Sequence, residues 1–177
     1  MRSFAVLRTA LYMSCFVALC AWAAVAVRRY DEAIGISLPD WLAAVGYAAM
    51  ACGAVLGLLC GASFAIQGRG TPAPFDPPVA FVASGPYRLV RNPMYLGGVA
   101  LLAGYGLVVG SFAVLLLAAS GAGMAHLFVV LVEEPALERR FGERYLAYRR
   151  LVNRWLPRRP RSHVAHRGHD SAQRTGA

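Results

Sequence analysis

Two short clusters hold the side chains that could do chemistry in this chain. The first reads Gly85-Pro86-Tyr87-Arg88-Leu89-Val90-Arg91-Asn92-Pro93-Met94-Tyr95-Leu96-Gly97. Pro93 suits the first turn of a helix, with Asn92 as its N-cap. Helix grammar explains those two residues. It does not explain why Tyr87, Arg88, Arg91 and Tyr95 crowd the same helix start. A helix N-terminus with arginine beside it is suited to an anion, a carboxylate or a phosphate. The second cluster is Glu133-Glu134-Pro135. Adjacent carboxylates beside a proline can be the acidic first turn of a helix. They can also bind the hydroxyl or ammonium groups of a polar cofactor.

Both clusters lie at the ends of long apolar runs. Thr9 to Val27 is uncharged for 19 residues, Trp41 to Ile66 for 26 and Leu96 to Val132 for 37. A spanning helix needs about 20 apolar residues. The third run would be about 55 Å long as one helix, against a hydrocarbon core of about 30 Å. It must therefore fold back. The segment from Gly104-Tyr105-Gly106 to Gly110-Ser111 is the expected hairpin, because glycine lowers the cost of a turn. Gly104-x-Gly106 resembles a dinucleotide glycine motif, but it lies inside an apolar run rather than between a strand and a helix. The expected spans are 8–29, 41–66, 93–109 and 112–132. The first is read as a retained span, being longer than the 7–15 apolar residues of a signal peptide. The fold class expected is all-α: a polytopic membrane protein of about four transmembrane helices.

Composition agrees. Of 177 residues, 58% are hydrophobic and 15% charged. Soluble domains average about 45–50% and about 25%. The values exclude an ordinary soluble enzyme, and a disordered chain as well. The net charge is +9, all 18 basic residues are arginine, and the pI is near 10.0. Such a pI can mark a nucleic-acid partner. Here the charge sits at span ends and in the tail, which favours the bilayer surface and no nucleic acid. With four spans, 16 of the 18 arginines fall on one side. The positive-inside rule then puts both termini in the cytoplasm.

After the second cluster, Leu137, Phe141, Tyr145 and Tyr148 recur at helical spacing. Ala136 to Arg150 reads as one amphipathic cytoplasmic helix. Gly53, Gly57 and Gly61 share one helix face and predict close packing inside the chain, with a homodimer seam as the other reading. Cys15, Cys20, Cys52 and Cys60 lie within the runs with no Cys-x-x-Cys pair, and read as apolar filler. No disulfide and no metal site is expected. His163, His166 and His169 belong to an arginine-rich tail, 158–177, read as disordered. His126 is the titratable group deep in the fourth run: a packed neutral histidine, or a lining of the acceptor path.

The order of these pieces resembles a known family. Gly-Pro-Tyr-Arg and Arg-Asn-Pro-Met-Tyr come first, then two apolar runs. Glu-Glu-Pro, Phe-Gly-Glu-Arg-Tyr and Arg154-Trp155-Leu156-Pro157 follow. It is similar to the isoprenylcysteine carboxyl methyltransferase family and its relatives, the membrane phospholipid N-methyltransferases. The resemblance covers about 68–157, within a single domain of 1–157. It implies a membrane-embedded methyltransferase that uses S-adenosylmethionine without a Rossmann domain. It implies a cofactor pocket in the C-terminal half, holding Arg91, Asn92, Pro93 and Tyr95 with their neighbours Tyr87, Leu96 and Gly97. Glu133, Glu134, Tyr145 and Tyr148 complete that pocket. Arg91 and Glu133 are the residues it implies for catalysis. Asn92 stands where the commoner motif has histidine. Asparagine can hold a cofactor but cannot titrate near neutral pH, so a general-base role there is in doubt.

Methyl transfer from a sulfonium needs orientation and dryness more than acid–base power. A lipophilic or small acceptor would enter between spans, and its reacting atom is open: carboxylate, amine, thiol or hydroxyl. Two other readings stand beside this one. A sterol-type membrane reductase using NADPH shares a similar Arg-His-x-x-Tyr region, though such enzymes have more spans. A non-catalytic scaffold that keeps the fold is the other.

Overall fold

A computed structural model describes residues 2–64 and 83–158. Residues 65–82, and the tail after Arg158 with His163, His166 and His169, lie outside the described residues. Within them the structure is helical, with one isolated bridge between Val90 and Asn153. Seven α-helices follow in order: α1 (Arg2–Val27), α2 (Asp31–Ile34), α3 (Leu42–Ser63), α4 (Pro93–Val108), α5 (Phe112–Phe128), α6 (Glu134–Phe141) and α7 (Glu143–Leu151).

Two helical runs are long and apolar enough to cross a membrane, Leu42–Ser63 and Phe112–Phe141, the second being α5 continued through α6. α4 is apolar but shorter. Their surfaces suit lipid: Trp22, Leu58, Met124 and Leu131 are exposed. In a protein surrounded by water, such side chains would gain free energy by burial.

The most extensive helix pair is α3 with α4. They run antiparallel and touch backbone to backbone. A Cβ on Gly53 would lie 2.6 Å from the Gly97 carbonyl oxygen, and one on Gly46 would lie 2.6 Å from that of Gly104. Gly53 is thus packed inside its own chain, while a Cβ on Gly57 or Gly61 would meet nothing within 4 Å. Gly104 and Gly106 are buried helix residues. The fold-back comes later, at Val109 to Ser111, where Gly110 takes φ 65°. That is the C-terminal end of the expected hairpin segment and falls between the expected spans 93–109 and 112–132, whereas Gly104 and Gly106 lie before it, inside α4. Those glycines serve close helix approach instead.

The α4–α5 corner is capped twice. Ser111 Oγ accepts a hydrogen bond from Val114 N at 3.2 Å, and Asp31 Oδ1 accepts one from Ala113 N at 2.9 Å. These are the orphan donors of the α5 N-terminus. The hydrogen bond from Ser111, then that from Ala113, holds the Asp31 carboxyl below its ordinary range.

The single amphipathic helix expected over Ala136–Arg150 is two helices. Gly142, at φ 52°, breaks it. A positive φ is easy for glycine and strained for other residues. The break lets α7 turn, so that Tyr145 is buried at 2% exposure.

Candidate cofactor site

The site forms where the start of α4, the α5–α6 junction, α7 and the final strap at residues 152–155 meet. Pro86 and Pro93 fix the chain on either side of Arg91. Pro93 is in the first turn of α4 as expected, but Asn92 makes no side-chain cap. Its Nδ2 donates instead to the Arg154 carbonyl at 3.4 Å. The Arg91 backbone N–H donates to the Asn153 carbonyl at 2.9 Å. The strap therefore lies in register beside Val90–Asn92.

The two carboxylates part company. Between α5 and α6 the chain makes one wide π turn, Val129–Glu133. Neighbouring helix residues point about 100° apart, so adjacent glutamates reach different partners. Glu133 Oε2 accepts from the Tyr95 hydroxyl at 2.8 Å. Glu134 is buried at 6% exposure and takes two guanidiniums. Arg154 binds it as a fork, Nε to Oε1 at 2.8 Å and Nη2 to Oε2 at 2.9 Å. Arg91 reaches it end-on, Nη2 to Oε1 at 3.1 Å. Planar forks of this kind are the strong form of an arginine–carboxylate pair. The Glu134 contact raises the Arg154 pKa further.

Around Arg91 stand tyrosines. Arg91 Nη1 donates to the Tyr145 hydroxyl at 3.5 Å, and the Tyr148 hydroxyl donates to the Tyr87 carbonyl at 2.6 Å. Burial first, and then the Glu134 charge, push the Tyr145 hydroxyl up to about 12. Burial also raises the hydroxyls of Tyr148 and Tyr87 above their ordinary range. These phenols stay neutral at physiological pH and act as donors, ring faces and walls. Tyr87 packs edge-on against Phe64 at 5.5 Å.

One atom in this network is unsatisfied. The Arg91 side chain is only 9% exposed, and among the described residues its Nε meets no hydrogen-bond acceptor. A buried N–H without a partner costs about 1–3 kcal/mol. A bound ligand, an ion or a water can supply the acceptor such an atom needs.

Of the residues expected from sequence, the structure brings Tyr87, Arg91, Asn92, Pro93, Tyr95, Glu133, Glu134, Tyr145 and Tyr148 into one connected group. Gly97 falls outside it, spent on the contact with Gly53. Leu96 is half-buried in the first turn of α4 and offers no polar side chain. Arg154 and Trp155 were not singled out as site residues. Trp155 lies edge-on to Tyr95 at 6.5 Å and donates from Nε1 to His126 Nδ1 at 3.0 Å. His126 is exposed and hydrogen-bonded, not packed away. The sequence signal for both was the Arg-Trp-Leu-Pro ending, too short to reveal its partners.

Helices long and apolar enough to cross a membrane, with a polar cluster at their ends, suit a membrane protein. A family model of phospholipid methyltransferases matches residues 41–144. That is more than half of the 177 residues, and the chain belongs to the phospholipid methyltransferase family. The match takes in Arg91, Tyr95, Glu133 and Glu134, and ends before Tyr145 and the strap. No curated protein and no solved structure matches the chain. Among the described residues, no group of histidine, cysteine, aspartate or glutamate could hold a metal ion.

Proposed function

We propose that this membrane methyltransferase takes its methyl group from S-adenosylmethionine and passes it to a lipophilic or small acceptor. The observation that carries the reading is the orphaned Arg91 Nε–H. It is a buried cationic donor with no acceptor among the described residues, next to the Tyr145 and Tyr148 hydroxyls, in a cluster that also holds the Glu133 carboxylate on Tyr95. A zwitterionic, aromatic cofactor with hydroxyls matches that donor set: a carboxylate for Arg91, an ammonium or ribose hydroxyl for Glu133, a cation or an adenine for the rings. The residues present fit the group.

Bound there, S-adenosylmethionine would supply a methyl already activated by its sulfonium. The chain's own part is to bind, orient and keep water out. Arg91 fixes the carboxylate end. Glu133 uses Oε2 for Tyr95, and Oε1 is its other acceptor. Tyr95 orients Glu133, and Tyr145 and Tyr148 wall the pocket on the side of α7. The acceptor arrives from the bilayer, because the helices around the site expose apolar faces such as Met124, Leu127 and Leu131.

In this reading α1, α3, α4 and α5 are four spans, and both termini face the cytoplasm with the cofactor site. The arginine distribution supports it.

The test is binding of S-adenosylmethionine and S-adenosylhomocysteine to detergent-purified protein by calorimetry, beside Arg91→Ala, Glu133→Ala and Glu134→Ala. Micromolar binding by the wild type, lost in the variants, is expected. A folded wild type that binds neither ligand would sink the proposal.

A further inference from the structure

Glu134 has one fork-shaped face, and Arg154 fills it. Both Glu134 oxygens are engaged by Arg154, at 2.8 and 2.9 Å. Arg91 is thereby limited to a single end-on contact through Nη2 at 3.1 Å. The consequence is the free Nε–H of Arg91. Arginine and carboxylate prefer the side-on arrangement that uses Nε together with one Nη. With the face of Glu134 vacant, Arg91 would turn onto it and spend its Nε there. The strap keeps Arg154 in place through the Asn153 carbonyl and Arg91 backbone bond at 2.9 Å, and the Asn92 bond to the Arg154 carbonyl.

We infer that Arg154 is a positioning residue: it occupies the fork face of Glu134 and so reserves Arg91 Nε–H for the carboxylate of the cofactor. The inference rests on the proposed cofactor. It gives Glu134 the task of holding two arginines, and leaves Glu133 as the carboxylate that meets the ligand.

The experiment compares two probes on the detergent-purified full chain. S-adenosylhomocysteine carries the amino-acid carboxylate; 5′-methylthioadenosine lacks that end. Arg154→Ala is expected to weaken S-adenosylhomocysteine about tenfold, the scale of one charge-assisted hydrogen bond. It leaves 5′-methylthioadenosine unchanged. Arg154→Lys keeps the charge without the fork and falls between. Adding Glu134→Gln to Arg154→Ala removes the carboxylate on which Arg91 would close, and affinity for S-adenosylhomocysteine partly returns. Equal weakening of both probes by Arg154→Ala would mean general damage to the fold and overturn the inference. No change with either probe, or a double variant worse than the single one, overturns it too. A wild type that binds neither probe takes down the cofactor proposal and this inference together.

Discussion

Glu133 and Glu134 are neighbours in the chain and have different partners in space. The sequence showed that a carboxylate pair stood at a span end, and the structure sends the two side chains to different partners at the end of a π turn. Which oxygen meets which arginine was not legible, because Arg154 lies 20 residues beyond Glu134 and no periodicity links them. Asn92 shows the same limit: its N-cap position could be read, but its side chain turns to a carbonyl 62 residues away. At this scale Tyr148 gives a prediction on stability. Its hydroxyl satisfies the carbonyl of buried Tyr87. Tyr148→Phe leaves that carbonyl unpaired and is expected to cost about 1–3 kcal/mol. Thermal melting in detergent reads the loss; an unchanged midpoint would show that the carbonyl finds water instead.

At the scale of elements, α3, α4 and α5 are apolar on every side, so helical periodicity cannot say which faces meet. Only small residues carry that information. Gly53 was legible as a packing glycine for this reason. Its partner Gly97 was read as a site residue, since it follows the Arg91 cluster so closely. Gly53→Ala would drive a methyl to 2.6 Å from the Gly97 carbonyl oxygen, and backbone must move. A cost of about 1–3 kcal/mol is expected from such overpacking. Gly61→Ala, in open space, is the matched control and should gain slightly from helix propensity. Equal melting of the two variants would refute the α3–α4 seam.

The α2–α5 corner makes a second prediction at this scale, one of pH. The folded-state pKa of Asp31 lies below its ordinary 3.8, held down first by Ser111 and then by Ala113. A depressed carboxylate contributes stability that is full above the ordinary value and lost as pH falls through the folded one. The wild type should therefore lose melting temperature in that acid window. Asp31→Asn, which cannot ionise, should start lower and show a flatter acid limb. Parallel acid limbs in the two proteins would show that Asp31 is not the titrating group.

At the scale of the whole molecule, the fold class was legible because composition and run lengths act over many residues at once. The proposed four-span arrangement rests on charge as well as length. α4 has 16 residues, about 24 Å of helix against a core of about 30 Å. Length alone would leave it in doubt. Arginine placement argues for it: with α4 crossing, the N-terminus, the segment before Asn92 and the tail share one side with 16 of 18 arginines. Were α4 not to cross, the 11 arginines from Arg139 onward would face away from Arg2 and Arg8. That arrangement defies the positive-inside rule. Alkaline phosphatase, active only outside the cytoplasm, can be fused after Ser37, after Gly110 and after Arg158 in a bacterial host. Activity at Ser37 and Gly110 with silence at Arg158 is the four-span outcome. Activity at Arg158 would make the span count odd and would move the strap, and with it the Arg154–Glu134 fork, away from the cytoplasmic supply of cofactor.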